Sequence, residues 1–287
     1  MDRLTITETF AGISFPGHLH TRESLQLAQH FQFQDTDIVI ATFPKSGTTW
    51  MQEILTLIHS KGDSLLAQTV PNWVRAPWLE HTYFRETVRD EGGVRLITTH
   101  LPYDILAPAL KKSKAKVIYI ARNPKDVAVS YYHFHKIAKF LPDPGTFEEF
   151  LDKFLDGTVH YGSWFQHVKG WLRHQEDTFF YITYEEMHMD LRDCIERLCG
   201  FISTSLTCEE LDNVEQHCSF NTMSQNKMVN CTLISPEIID HSKGKFMRKG
   251  VVGDWKQLFT GPLNILFDRV YQEEMSNCKH SFPLAQD

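Results

Sequence analysis

Apolar and polar positions follow two rhythms along this chain, and the change from one to the other marks where its chemistry lies. Asp37-Ile38-Val39-Ile40-Ala41 is a short, β-branched apolar run ended by Pro44, which predicts a buried strand. From Met51 the apolar residues recur as Met51, Ile54, Leu55 and Ile58, the spacing of one helix face. Residues 94–99, 116–121 and 178–183 predict three further strands. Asn123 as N-cap, Pro124 at the first helical position and Asp126 three beyond the cap predict a helix with Val127, Tyr131, Phe134 and Ala138 on its apolar face. Thr146 and Glu149 form a capping box for a helix carrying Phe147, Phe150, Leu151 and Phe154 and closed by Gly157. Helices are also predicted over 161–175, 190–199, 207–216 (with a second capping box, Thr207 and Glu210) and 263–275.

Between these elements the pattern weakens. Residues 1–36 are mixed, with Phe10, Ile13, Phe15 and Pro16 as covering contacts. Residues 70–78 read as a Pro-interrupted loop with Trp73 and Trp78, and residues 221–247 as a loop or lid. Strand–helix alternation without repeats or a break in composition predicts an α/β fold. It is expected to be a single domain over residues 1–287, a central parallel sheet flanked by helices.

Composition narrows the function classes. A formal net charge of −7 argues against wholesale nucleic-acid binding, so basic residues must act locally. The six cysteines all lie in the second half and form no C-x-x-C, which fits reduced thiols in a cytoplasmic protein. The first residues, from Met1, lack a signal-peptide core, and no apolar run approaches membrane-spanning length. Asn230-Cys231-Thr232 fits a glycosylation sequon that carries no weight without a secretory signal.

The candidate chemistry gathers at strand ends, where ligands of parallel sheets bind. Thr42-Phe43-Pro44-Lys45-Ser46-Gly47-Thr48-Thr49-Trp50 joins the first predicted strand to a helix start. Gly47 allows close backbone approach, the first-turn N–H groups favour an anion, and Lys45, Ser46, Thr48 and Thr49 add charge and donors. The nucleotide loop G-x-x-x-x-G-K-[ST] is not matched, because its first glycine is missing and Lys45 precedes Gly47. An anionic nucleotide is therefore expected, with ATP disfavoured. His100, Arg122 and Tyr184 stand at three other strand ends, and Ser130 lies two turns into the following helix. Arg248-Lys249-Gly250 offers two cations and a glycine N–H to a second phosphate. A surface ion pair at Arg122 and a solvated basic turn at 248–250 are the plain alternatives. His133 and His135 point apart on a helix, and no convincing carboxylate or histidine set for a metal stands out.

Phe43-Pro44-Lys45-Ser46-Gly47-Thr48-Thr49-Trp50, with Arg248-Lys249-Gly250-Val251-Val252-Gly253-Asp254-Trp255-Lys256, resembles the signature pair of the cytosolic sulfotransferases. The similarity runs through Thr99-His100-Leu101-Pro102, Ala121-Arg122-Asn123-Pro124 and Tyr161-Gly162-Ser163-Trp164. It implies 3′-phosphoadenosine 5′-phosphosulfate (PAPS) as co-substrate and no metal. Residues Lys45 to Trp50 would hold the 5′-phosphosulfate and the adenine edge. Arg122, Ser130, Arg248, Lys249 and Gly250 would hold the 3′-phosphate, with Cys218 where the family has Ser or Thr. Trp50, Tyr184 and Phe220 would surround the adenine, and His100 would be the base, with Lys45 beside the leaving group. Trp73, Trp78, His100, Phe134, Phe140 and Tyr161 would wall a pocket for a small lipophilic hydroxyl acceptor, closed by a lid over 231–247. Thr98, Trp73 and Trp78 resemble the hydroxysteroid branch, and Tyr131-Tyr132-His133-Phe134 the phenol branch. The family dimer motif keeps Lys256 and Thr260 but is broken at Gly261 and Ile265, so homodimerisation by that route is not implied. An ATP-dependent kinase and a non-catalytic nucleotide-binding module are the rival readings.

Overall fold

Every second residue of the strand before the anion loop faces the same side of a sheet, and both sides are covered. The computed structural model describes residues 3–88, 92–174, 176–279 and 282. The described residues form six strands: β1 (Thr7–Phe10), β2 (Ile13–Pro16), β3 (Ile38–Thr42), β4 (Leu96–Thr99), β5 (Lys116–Ala121) and β6 (Phe179–Thr183). The last four form one sheet in the order β4-β3-β5-β6, with every neighbouring pair parallel. Ile38, Ile40, Ile118, Ile120 and Ile182 pack on one face against Met51, Ile54 and Leu198. Val39, Ala41, Val117, Tyr119 and Ala121 pack on the other against Leu106, Val127 and Trp171. Burial on both sides is why these strands read as unbroken apolar runs.

The chain leaves β3 for β4 on one side, then crosses to β5 on the other. The helix after β3 (Thr48–His59) covers one face and the helix after β5 (Pro124–Ile137) the other. Their divergence opens a crevice at the carboxyl ends of β3 and β5, a topological switch point. The parallel α/β architecture is as predicted.

Several boundaries differ from the sequence reading. Residues 7–16 form an antiparallel hairpin whose turn residues, Ala11 and Gly12, have φ of +50° and +78°, as a type I′ turn requires. Thr21 and Ser24 then cap a helix, Arg22–Gln29. Neither element was predicted, because the hairpin is short and half exposed and has Ala rather than Asn or Asp before its glycine. The 94–99 strand starts at Leu96, and Asn72–Arg75 forms one helical turn inside the supposed loop. The helix predicted over 161–175 starts only at Trp164, where Ser163 caps it, and ends at Leu172; Gln175 lies outside the described residues. Tyr161 and Gly162, at φ of +69° and +78°, form the turn that precedes it. The start of the 221–247 lid is also helical, as Phe220–Gln225 with Ser219 accepting from the Thr222 N–H. The remainder carries no regular element beyond a bridge of Ile239 to Ala138.

Candidate active site

The loop after β3 bends through two left-handed residues, Lys45 at φ +68° and Gly47 at φ +107°. Such a bend turns successive amide groups to one side and suits an anion. A side chain at Gly47 would also press on Tyr184, since its Cβ would lie 3.0 Å from the ring. Gly47 is the N-cap of the Thr48–His59 helix and offers no side-chain acceptor, so the first-turn N–H groups are left for a ligand. Thr48 Oγ1 lies 2.7 Å from Thr42 Oγ1, which fastens the helix start to the strand end. Ser46, predicted as a hydroxyl donor of this loop, has a fully buried hydroxyl with no hydrogen-bond partner among the described residues, and it does not line the cavity.

His100 is held at the end of β4 by every polar group it has except one. Its Nδ1 lies 2.9 Å from the Thr42 carbonyl oxygen, so Nδ1 carries a proton and donates it there. Nε2 is left as the basic atom. Its backbone N–H donates to Glu80 Oε1 at 2.7 Å, and its carbonyl accepts from His167 Nε2 at 3.1 Å. His167 Nδ1 in turn accepts from the Tyr119 hydroxyl at 2.9 Å. Burial lowers the His100 pKa to about 4, so the imidazole is neutral in neutral solution. Tyr161 and Trp78 flank the ring at centroid distances of 5.3 and 6.0 Å.

Lys45 is close enough to His100 for their charges to interact. Its Nζ lies 4.4 Å above the Phe134 ring and 4.1 Å from the Phe246 ring. Burial, with the charges of Arg122 and Arg248 adding to it, lowers its pKa to about 7. An arriving anion would restore the full charge.

The second basic cluster is assembled from three segments. The Arg122 guanidinium donates to the carbonyls of Lys45 (3.1 Å) and Val251 (3.2 Å) and lies 4.1 Å over the Tyr184 ring. It therefore joins the anion loop to the 248–255 turn, and is not the surface ion pair that was its plain alternative. Arg248 and Lys249 both pair with Asp254. The basic turn is thus neutralised in part from within rather than standing free. Asp126, on the first turn of the Pro124–Ile137 helix, accepts the N–H groups of Gly253 (2.7 Å) and Trp255 (2.9 Å) and fixes this turn to the helix that carries Ser130. Gly250 admits no side chain, because a Cβ would lie 2.1 Å from the Phe220 ring. Trp50 donates to the Cys218 carbonyl at 2.9 Å and meets Tyr184 edge-on at 5.4 Å. The Cys218 side chain itself is buried.

One cavity of about 710 Å³ joins these parts. Lys45, Gly47, Thr48, Thr49, Trp50, Arg122, Ser130, Tyr184, Cys218, Phe220, Arg248, Lys249 and Gly250 line it, as do Trp73, Trp78, His100, Phe134, Phe140 and Tyr161. Of the residues predicted for the site, only Ser46 does not. The reading missed His18, His81 and Tyr83 at its wall, while Cys231 and Phe246 fall within the predicted 231–247 lid. Glu80, behind the wall, was missed as well. The hydroxyl and imidazole residues among them stand in irregular segments where no periodicity marks them. Glu80 and His81 stand two and three positions after Trp78 in the sequence.

Comparison with known proteins gives a consistent picture. Residues 35–279 match the family model described as a sulfotransferase domain. The chain is 48% identical to human Sulfotransferase 2B1, over 97% of this chain and 76% of that one. It is 45% identical to Sulfotransferase 1A1 of Canis lupus familiaris, over 91% and 90% of the two chains. It is 42% identical to human Sulfotransferase 2A1, over 93% and 94%. The crystal structure of mouse sulfotransferase SULT7A1 complexed with PAP is similar, with a TM-score of 0.79 at 33% identity over 95% of this chain and 96% of that one.

Proposed function

Because this chain belongs to the sulfotransferase family and is a PAPS-dependent sulfotransferase, we propose that it sulfates the hydroxyl of a small lipophilic alcohol of the hydroxysteroid kind, with His100 as base and Lys45 at the leaving group. The observation that carries this reading is that a single cavity contains both anion-binding clusters and the His100 ring. The 5′-phosphosulfate belongs at the 45–49 loop and the 3′-phosphate near Arg122, Ser130 and the 248–250 turn. Trp50, Tyr184 and Phe220 flank the adenine, and Cys218 supports Trp50 through its backbone. Residues 1–287 act as one domain in the cytoplasm; none of the described helices is long and apolar enough to cross a membrane.

The reaction follows from charge. The acceptor oxygen attacks sulfur in line as the bond from sulfur to the phosphate oxygen breaks, by analogy with phosphoryl transfer. The hydroxyl proton goes to His100 Nε2, a contribution of typically ~10²–10⁴ in rate. Negative charge grows on the departing phosphate oxygen, where Lys45 and the helix N-terminus stabilise it. Glu80 and His167 hold the backbone of His100 so that its ring keeps one orientation.

Aromatic and aliphatic side chains make most of the acceptor wall: Trp73, Trp78, Phe134, Phe140, Tyr161 and the lid residues Leu233 and Ile234. Such a wall favours an apolar body presenting one hydroxyl over a sugar. Turnover of labelled PAPS with a panel of steroids, aliphatic alcohols and phenols tests this. Steroid or aliphatic alcohol turnover is expected, and exclusive turnover of phenols would reject the proposed acceptor class.

A further inference from the structure

Behind the Trp78 wall, three buried side chains from two distant segments converge. His20 comes from the turn after β2, and Glu80 and His81 follow Trp78. One donor atom of each lies within 4.8 Å of the other two, and among the described residues this is the group of three such donors close enough that it could hold a metal ion. Each of the three side chains has one polar atom in a hydrogen bond. His20 Nδ1 donates to the Pro16 carbonyl at 2.9 Å, which leaves Nε2 as its lone-pair atom. His81 Nδ1 lies 2.7 Å from the Tyr83 hydroxyl, and Glu80 Oε1 accepts the His100 N–H at 2.7 Å. His81 stacks on Trp78 at 5.6 Å and 9°, and meets the His20 ring edge-on at 5.0 Å. Glu80 Oε2 and His81 Nε2 are fully buried and have no hydrogen-bond partner among the described residues. Buried polar atoms of this kind call for a partner.

We propose that His20, Glu80 and His81 bind one divalent transition-metal ion, with Zn²⁺ the best fit, and that the ion clamps together two walls of the acceptor cavity. Two imidazoles and a carboxylate suit zinc at ~2.0–2.2 Å with one position open, whereas calcium and magnesium want oxygen ligands. Hydrogen-bonded second atoms are the usual support of zinc-binding histidines. Tetrahedral bonds of that length put ligand atoms ~3.3 Å apart, so atoms that lie within 4.8 Å of one another need to close by ~1.5 Å at most. His18 and Leu19, next to His20, line the cavity, and so do Trp78 and His81. The ion would pin the N-terminal segment to the Trp78 loop. It takes no part in sulfuryl transfer, and the proposal does not rest on the choice of acceptor.

The test uses the full chain, stripped with a chelator and titrated with ZnCl₂ against a chromophoric competitor. About one ion per chain is expected, with a rise in Tm that MgCl₂ does not reproduce. Co²⁺ in place of zinc should show the visible bands of a tetrahedral complex. His81→Phe keeps a ring on Trp78 but removes the nitrogen, and Glu80→Gln keeps an acceptor for the His100 N–H. Each should weaken zinc binding by more than ~10-fold, while retained binding of 3′,5′-diphosphoadenosine reports that the variant is folded. If His81→Phe fails to fold, Glu80→Gln decides. His100→Ala should bind zinc like the parent chain, which separates failure of this site from failure of the catalytic reading. No binding by the parent chain, or equal binding by folded Glu80→Gln or His81→Phe, overturns the proposal.

Discussion

At the scale of the residue, the proposed chemistry rests on two side chains whose pKa values burial lowers. His100 is neutral because burial penalises its cation, and its proton sits on Nδ1 because the Thr42 carbonyl accepts there. His100→Ala should therefore lower turnover by ~10² or more while binding of 3′,5′-diphosphoadenosine changes little. Titration calorimetry beside steady-state kinetics checks both halves; near-normal turnover would remove His100 from the mechanism. Lys45 is poised differently. With its pKa near 7 in the free protein, much of it is uncharged at pH 8, and a bound phosphate favours the ammonium form. Nucleotide binding at pH 8 should thus take up as much as about one proton, and affinity should fall as pH rises through 7. Calorimetry in two buffers of different ionisation enthalpy measures this uptake, and Lys45→Ala should abolish it and slow single turnover.

At the scale of the element, the 248–255 turn has no regular structure of its own beyond a short 3₁₀ turn at Asp254–Gln257. Its position is imposed by the Pro124–Ile137 helix through Asp126, which satisfies two of its N–H groups. Asp126→Ala leaves those groups without acceptors and should loosen the turn. Affinity for 3′,5′-diphosphoadenosine should fall by ~10-fold or more, as expected when buried charge-assisted hydrogen bonds are lost, whereas the weaker ligand lacking the 3′-phosphate should be little affected. Equal losses for the two ligands would point to general unfolding instead. The helix itself was legible in the sequence from Asn123, Pro124 and Asp126, because capping acts over three or four residues. That Asp126 serves the distant turn as well as its own helix was not legible, since 127 residues separate it from Gly253.

At the scale of the whole molecule, the parallel sheet gathers the groups of the site. The ends of β3, β4, β5 and β6 deliver Lys45, His100, Arg122 and Tyr184 to one edge, and the divergence of helices across the two faces leaves room for a ligand. The last helix, Gly261–Met275, lies on the outside, with Ile265 72% exposed where the family dimer motif has Glu. Sedimentation should show no tight dimer through residues 256–265, and restoring the motif with Gly261→Val and Ile265→Glu should favour one. A tight parent dimer that mutation of Lys256 disrupts would contradict this.

The sequence by itself determined the sheet strands, the anion loop and the identity of the strand-end residues. β-branched runs, caps and a glycine at a required φ are local devices that act within a turn or two of themselves. Only the tertiary structure decided that Glu80 grips the backbone of His100, that Arg122 spans from Lys45 to Val251, that Phe246 folds over Lys45, and that His20 meets Glu80 and His81. Those contacts depend on strand order and on the path of irregular segments, and no short-range preference in the chain records them.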